Sequence, residues 1–392
     1  MNQVYYWYWL TTIKGLGRKS IWRILDYYQT PQMIFEDQSS NLRLVLSKHC
    51  KLSETVIMNI IGSRDIETIQ LEVASIKHQN IQILCPTDDL FPGAYRHIYD
   101  PPCLLYYKGT MPNLTRPTIA IIGARNCSDY GIHMALEIGQ TLTDSGVNVI
   151  SGMARGVDAA AHRGAIQSYI ADDHQGSKQD IRQEVSYTST ASGNDSNSRG
   201  KTVAILGSGV NVCYPKDNYQ LYRDIMKFGC VMSEYHINDQ PKPGYFPMRN
   251  RLISGMADGV VVVEAKKSSG SLITAHYGLE QGKDIFAVPG RATDILSEGT
   301  NLLIKAGAKI VLDASDILEE YNLKISVGKQ MPLRDLAETE ASIYNAISFD
   351  PISIDRLSTE LKMRIEEVRI GAIRLEILGL IRHLPNNTVV KK

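Results

Sequence analysis

Between Phe246 and Gly290 the chain runs FPMRNRLISGMADGVVVVEAKKSSGSLITAHYGLEQGKDIFAVPG, and no other stretch constrains the fold as much. An unalternated apolar run, Val260 to Val263, ends in Glu264. A small-residue turn, Ser268 to Ser271, then opens a helix that leads to a second apolar run, Ile285 to Val288. A strand without polar alternation is buried on both faces, as in parallel sheets. The strand–turn–helix–strand order puts the start of the helix at the carboxyl edge of the sheet, where backbone N–H groups and the helix dipole favour an anion. No nucleophile with an adjacent base stands here, so the stretch reads as a place to hold phosphates rather than to break bonds.

The same pattern extends over much of the chain. Short apolar runs recur at Ile119–Ile122, Val147–Ile150, Val203–Leu206, Cys230–Met232 and Ile310–Leu312, several alternating with amphipathic helices. This predicts an α/β domain over residues 81–321 built on a doubly wound parallel sheet. The turn-rich segment 83–109 is expected to cap one edge. Residues 168–198, rich in Ser, Asp, Gln and Asn, interrupt the pattern and read as a largely disordered surface insertion.

The flanks are helical. Over residues 1–80, Trp7, Leu10, Ile13 and Leu16, then Ile21, Ile24 and Leu25, follow helical spacing. Between these runs, Gly15-Leu16-Gly17-Arg18-Lys19 resembles a helix-hairpin-helix turn, which presents N–H groups and cations to a phosphate; the commoner reading of such a stretch is a tight interhelical turn with solvated basic residues. After a polar linker, 322–335, residues 336–392 give three helical patterns. The third is marked by Val368, Ile373, Leu375 and Leu378, and two strand-like runs follow, which together make a winged helix. From Leu336 onward there are eight Lys/Arg and eight Asp/Glu, fewer cations than a DNA-reading wing usually carries, so a protein-contact role stands beside DNA reading.

Formal net charge is zero over 392 residues, so any nucleic-acid binding must come from local patches. Six scattered cysteines without a C-x-x-C fit reduced thiols and offer no zinc spacing. No apolar run is long enough for a membrane span, and the expectation is a soluble, cytoplasmic protein.

Candidate residues gather at the predicted strand ends. The first parallel strand ends in Gly123-Ala124-Arg125-Asn126, where the Arg125 guanidinium suits phosphate or an ion pair to a helix end. The second runs into Ser151-Gly152, with Arg155 close behind. Asp158 and His162, four apart, share a helix face, but no nucleophile is placed beside them, so the pair reads as structural. Gly200-Lys201-Thr202 mimics the end of a P-loop, yet it precedes a strand and lacks the earlier glycine. It is no ATP site, though Lys201 is a candidate phosphate contact. Arg249-Asn250-Arg251 would either bind phosphates or pin a loop through ion pairs. Tyr245 and Phe246 would either stack bases or pack in the core. Ser269 and Gly270 form the small-residue turn.

Taken in order, G-A-R (123–125), S-G-M-A-R-G-V-D-A-A-A-H (151–162), T-V-A-I-L-G (202–207), Y-P (214–215), S-E (233–234), F-P-x-R-N-R (246–251), V-V-E-A (262–265), S-G-S-L-I-T-A (269–275), A-V-P-G (287–290) and G-T-N-x-L-I-x-x-G-A (299–308) are similar to the DNA-processing protein A family, DprA, also called Smf. The resemblance covers roughly residues 83–312. It implies a Rossmann-like domain, an N-terminal SAM-like helical domain and a C-terminal winged helix. It further implies a non-enzymatic, homodimeric protein of natural transformation that needs no cofactor, protects incoming single-stranded DNA and loads the RecA recombinase onto it. On this resemblance Arg125 and Lys201 match DNA contacts, and Arg155 and Arg249 are additions by position. Gly123, Ser151, Gly152, Asn250, Arg251, Ser269 and Gly270 complete the candidate DNA site. Two departures stand out: the insertion lies beside the presumed DNA face, and Ala124 lacks the hydroxyl common at that position. The competing reading is a phosphoribohydrolase-like enzyme of the same superfamily, whose P-G-G-x-G-T-x-x-E motif is absent here.

Overall fold

The computed structural model describes residues 3–179, 199–324, 336–378, 380–384 and 387–391. Six helices come first: α1 (Gln3–Thr12), α2 (Arg18–Tyr28), α3 (Pro31–Glu36), α4 (Leu42–Leu44), α5 (Glu54–Gly62) and α6 (Ile66–His78). The apolar positions read from the sequence, Trp7 through Leu25, are all buried in one cluster. That cluster also contains Leu104, Tyr106, Val210 and Ile237, so the helical unit packs directly on the α/β domain.

Nine strands among the described residues form the main sheet: β1 (Gln82–Leu84), β2 (Leu105–Gly109), β3 (Thr118–Ile122), β4 (Asn148–Ser151), β5 (Thr202–Ile205), β6 (Cys230–Ser233), β7 (Gly259–Val262), β8 (Asp284–Ala287) and β9 (Lys309–Ile310). Their order is β1-β2-β6-β5-β4-β3-β7-β8-β9. β3 to β9 pair in parallel. β1 and β2 close the β6 edge in antiparallel fashion, as segment 83–109 was expected to do. The connecting helices are α7 (Asp129–Asp144), α8 (Val157–Gln179), α9 (Tyr219–Phe228), α10 (Tyr245–Met256), α11 (Ser271–Glu280), α12 (Glu298–Lys305) and α13 (Ala314–Glu320). Successive strand residues point to opposite faces. Ile119, Ile121, Val149 and Val261 therefore pack with α7, α8 and α13, while Ala120, Ile122, Ile150 and Val260 pack with α10. Both faces are covered, and the sheet is doubly wound. The chain moves from β3 through β4 and β5 to β6, then returns through α10 to β7 on the other side of β3. Neighbouring strands thus lead their helices apart, which opens a crevice at the carboxyl ends of β3 and β7.

Helix α8 corrects the reading of the insertion. It runs to Gln179, so residues 168–179 are helical rather than irregular. Tyr169 stacks on Phe228 at 5.8 Å, and Asp172 and Asp173 pair with Arg199 and Lys227. The rest of that stretch, 180–198, lies outside the described residues. It joins α8 to Gly200, whose N–H donates to Thr143 O near the end of α7, at the amino edge of the sheet. The described chain therefore rejoins the sheet, at Gly200, at the edge opposite the crevice.

The C-terminal helices and strands are α14 (Glu338–Ala346), β10 (Ile352–Ser353), α15 (Ile354–Leu361), α16 (Ile365–Ile377), β11 (Ile381–Leu384) and β12 (Thr388–Lys391). Ile343, Leu357, Val368, Ala372 and Leu375 form the core beneath the wing. Ile373, read from the sequence as part of this helix's apolar face, is exposed. Phe349 packs its ring against His133 and Tyr130 of α7, at 4.9 and 5.8 Å, and Arg382 reaches Asp129 at 3.3 Å. Most of the expected linker, 325–335, falls outside the described residues.

The Gly15-Leu16-Gly17 turn sends Arg18 inward. Its guanidinium meets Asp100 at 2.5 Å and Glu234 at 2.6 Å. Arg251 reaches the same two carboxylates from α10, at 2.6 Å to Glu234 and 3.5 Å to Asp100. Burial alone would raise the Asp100 pKa, but the two guanidiniums more than offset it and hold the carboxyl below its usual range. Removing one partner from such a cluster leaves an uncompensated buried charge. Arg251→Ala is therefore expected to lower the unfolding free energy by about 3–5 kcal/mol, measured by urea denaturation.

Candidate nucleic-acid cleft

An open cleft of about 660 Å³ lies at the crevice between β3 and β7. One wall is the turn after β3, and it is stapled from both sides. Ala124 N donates to Glu264 O at 2.7 Å, and Val157 N donates to Ala124 O at 3.2 Å. Gly156, at φ 74°, lies so close to the Ala124 and Arg125 carbonyls that a Cβ would meet them at 2.3 and 2.5 Å. The turn is thereby held while the Arg125 side chain stays exposed in the cleft. Its guanidinium sits 5.6 Å from the centre of the Phe246 ring. The Tyr214 ring lies 5.4 Å from the Phe246 ring, centre to centre, and is 45% exposed. Phe246 rests on Gly207, where a Cβ would fall 2.7 Å from the ring.

The opposite wall is the β7–α11 turn. Lys266 is exposed there, followed by Ser268, Ser269 and Gly270 at the start of α11. Ser269 and Ser271 share a hydroxyl contact of 2.8 Å, and Ser269 O accepts from Leu272 N at 3.1 Å. The turn thus satisfies part of the helix's own N-terminal N–H set, and the attraction for an anion rests on the hydroxyls, the dipole and Lys266 together. Glu264 does not face a ligand. It accepts from Ser128 N at 2.9 Å and from the Ser128 hydroxyl, whose oxygen caps α7 through Gly131 N.

The floor is Arg249, only 4% exposed. It donates to Gly152 O at 2.8 Å and to Ile205 O, and its Nε meets Asn250 Oδ1 at 3.2 Å. Burial pulls its pKa down to about 10, with Asp158 opposing. The Asp158 carboxylate accepts from Gly152 N at 3.1 Å and Ala154 N at 3.4 Å; burial raises its pKa against the pull of Arg249. His162 faces away, its Nδ1 2.7 Å from Thr202 Oγ1. Since the Thr202 hydroxyl donates to Val149 O, His162 donates to Thr202 Oγ1 from Nδ1, and burial, which pulls its pKa down to about 3, keeps the ring neutral. Each residue of this pair is engaged with other groups, as a structural role requires.

The candidate residues therefore divide. Gly123, Arg125, Arg249, Asn250, Ser269 and Gly270 line the cleft. Gly152 lies under it against Arg249, and the Ser151 hydroxyl is consumed by Ile121 O at 2.6 Å. Arg155 is exposed beyond Ala154 and pairs with Asp217. Two candidates lie apart from the cleft. Lys201 precedes β5 at the amino edge, its N–H on Asn148 Oδ1 at 3.0 Å, a strand's length from the cleft. Arg251 belongs to the ion cluster beneath the N-terminal helices. Tyr245 also leaves the cleft, stacking on Tyr235 at 3.8 Å. Sequence reasoning passed over Tyr214 and Lys266; the signals were the Tyr-Pro pair after the β5 turn and the Lys-Lys after Glu264.

This construction agrees with what the chain resembles. Residues 82–172 and 189–322 match the family described as DNA recombination-mediator protein A. The chain belongs to this family. Residues 328–387 match the DprA winged helix domain. DNA processing protein DprA of Streptococcus pneumoniae is 39% identical over 234 residues, 60% of this chain and 72% of that protein. Protein Smf of Synechocystis is 27% identical over 97% of this chain and 96% of its own length. Among solved structures, DprA of S. pneumoniae superposes with a TM-score of 0.63 at 33% identity, covering 82% of this chain and 98% of that one. DNA processing protein A of Helicobacter pylori, described for its single-stranded DNA binding mode, superposes with a TM-score of 0.50 at 25% identity over 62% of this chain and 95% of that one. Membership makes a DNA-processing role the frame in which the cleft is read. Among the described residues, no helix is long and apolar enough to cross a membrane.

Two outcomes test the cleft floor. A Cβ at Gly152 would lie 2.6 to 2.8 Å from the Arg249 guanidinium. Gly152→Ala should destabilise the fold by about 1–3 kcal/mol in denaturant titrations, as overpacking does. Burial also holds the His162 pKa at about 3 in the folded state. An unfolded histidine titrates near 6.5, so the unfolded chain binds the extra proton between these values. The stability contribution of neutral His162 is full above about pH 6.5 and is lost progressively as pH falls toward 3. In His162→Gln the decline of unfolding free energy over that window should flatten by up to about one proton.

Proposed function

We propose that the cleft holds single-stranded DNA, and that the protein uses this grip to pass the strand to the RecA recombinase during natural transformation. The observation that carries the reading is the pair of exposed side chains, Tyr214 and Arg125, set against the half-buried Phe246 ring and sharing one groove with Lys266 and the Ser269–Ser271 turn. Aromatic faces bind unpaired bases whatever their sequence, and cations with a helix start bind the backbone between them. A duplex keeps its bases stacked inside and cannot use such a platform. The single-stranded DNA binding of the H. pylori relative supports the same reading.

The protein acts as a binder rather than an enzyme. The acid/base candidates favour this: Asp158 is bound to backbone N–H groups, Glu264 to Ser128, and His162 is neutral against Thr202. Two chains would pair through the exposed β9 edge, where Ile310, Leu312 and Leu302 are open to solvent. A dimer would present two clefts to one strand.

Fluorescence anisotropy of labelled single-stranded DNA tests the proposal. Wild type should bind single strands in preference to duplex, with affinity falling as salt rises. Arg125→Ala should weaken binding to every sequence and reduce the salt slope by about 0.7, the value of one phosphate contact on a single strand. Tyr214→Ala should cost about 1–3 kcal/mol with the salt slope unchanged. Binding that is indifferent to both substitutions would remove the cleft from the DNA site. Hydrolysis of a nucleoside monophosphate by wild type would favour the phosphoribohydrolase-like reading instead.

A further inference from the structure

The helix that a DNA-binding winged helix would place in the major groove is α16, and its outward face is the wrong kind for DNA. Val368, Ala372 and Leu375 point into the core. Ile370 and Ile373 point out and are 56% and 47% exposed. With Glu366 they follow one another at i, i+4 and i+7, the spacing of a coiled-coil seam. Recognition helices read base edges with their N-terminal residues. Here that end carries Glu366 and Glu367, whose charge repels phosphate. Of the cations on the domain, Arg364 pairs with Glu367, Arg374 with Glu340, and the wing's Arg382 with Asp129.

We infer that the outward face of α16 docks against α16 of a second copy of this chain, the two helices antiparallel about a two-fold axis between Ile370 and Ile373. The charges flanking the seam specify both the partner and the direction. Glu367 and Arg374 lie on one side, and Arg369 and Glu376 on the other, each pair seven residues apart. In an antiparallel pair, flanking positions on the same side of the seam meet each other across the axis. Glu367 then meets Arg374 of the second copy, and Arg369 meets its Glu376. A parallel pair would set Arg369 against Arg374, two like charges. The pattern is therefore self-complementary in one orientation only. Ile370 of each copy lies over Ile373 of the other, which takes both out of water. Glu367 pairs with the exposed Arg364 and Glu376 with the half-buried His383, while Arg374, itself exposed, reaches the buried carboxylate of Glu340. Exposed pairs such as Arg364–Glu367 contribute little and are readily shared. A single helix face is small beside the roughly 800 Å² per partner of a stable interface. This contact is therefore a weak one, suited to joining chains already gathered by another interface or by a common strand.

Sedimentation equilibrium of the full chain without DNA tests the pairing. Ile370→Glu/Ile373→Glu should weaken one association step by about tenfold or more, since it buries like charge at the centre of the contact. Arg369→Glu should weaken the same step, because it sets Glu against Glu376. Arg369 has no hydrogen-bond or ion-pair partner among the described residues, so this variant leaves the domain's own contacts intact. Combining Arg369→Glu with Glu376→Arg should restore the association. Unfolding of the isoleucine variant, checked by circular dichroism, would leave the arginine variant and its rescue to decide. Association unchanged in Arg369→Glu would overturn the antiparallel pairing. A loss of duplex affinity in the isoleucine variant without change in association would overturn it too, and would assign the face to nucleic acid.

Discussion

The Arg249 guanidinium sits where the carboxyl ends of β4 and β5 meet α10, and the cleft depends on it. Parallel strands leave carbonyls at their carboxyl edge that the ladder does not use. Arg249 donates to two of them, at Gly152 and Ile205. Asp158 holds the N–H groups of the same turn and opposes the cost of burying the cation. This ties three elements together under the crevice and leaves Gly152 no room for a side chain. With the floor so fixed, Arg125 and Tyr214 can stand exposed beside the half-buried Phe246 ring without collapsing into the sheet.

Arginine has three different uses in one small region. Arg249 satisfies backbone, Arg251 satisfies buried carboxylates, and Arg125 remains open over an aromatic ring. Two residues apart on α10, Arg249 and Arg251 point in different directions, one to the cleft and one to the seam with the N-terminal helices. That seam is both apolar and ionic: Leu104 and Tyr106 extend the helical core, and Arg18 joins Arg251 on Asp100 and Glu234. The N-terminal helices and the helix that floors the cleft are therefore mechanically connected. The winged helix is held by Phe349 and Arg382 on α7 and by the Asp350 ion pair with Arg291, all near the surface.

Much of this was legible in the sequence wherever burial is two-sided. The unalternated runs from Ile119 to Val288 became strands within a residue or so of their expected places, because a buried parallel strand must be apolar throughout. The last, expected at Ile310–Leu312, is shorter, since an edge strand at the end of the sheet is paired on one side only. Less was legible where a residue's fate depends on partners far along the chain. Ile373 carries the spacing of a core position and yet is exposed, because Val368, Ala372 and Leu375 already fill the core side of α16. The start of the polar stretch at Ser168 reads as loop by composition, but packing against Phe228 and pairing with Arg199 and Lys227 keep it helical.

The doubly wound sheet, the helical flanks, the strand-end turns and the outward place of Arg125 are written in the chain locally. Each follows from local periodicity and from glycine or small residues at a turn. Which of the other cations share that site depends on how distant elements pack. Lys201 is placed at the opposite edge because the strand it precedes runs parallel to its neighbours. Arg251 is withdrawn because Asp100 and Glu234 await it. Tyr214 and Lys266 are brought to the cleft because the order of the strands reverses beside β3. Spacing along a chain records which face of an element a residue occupies; it does not record which other element will meet that face.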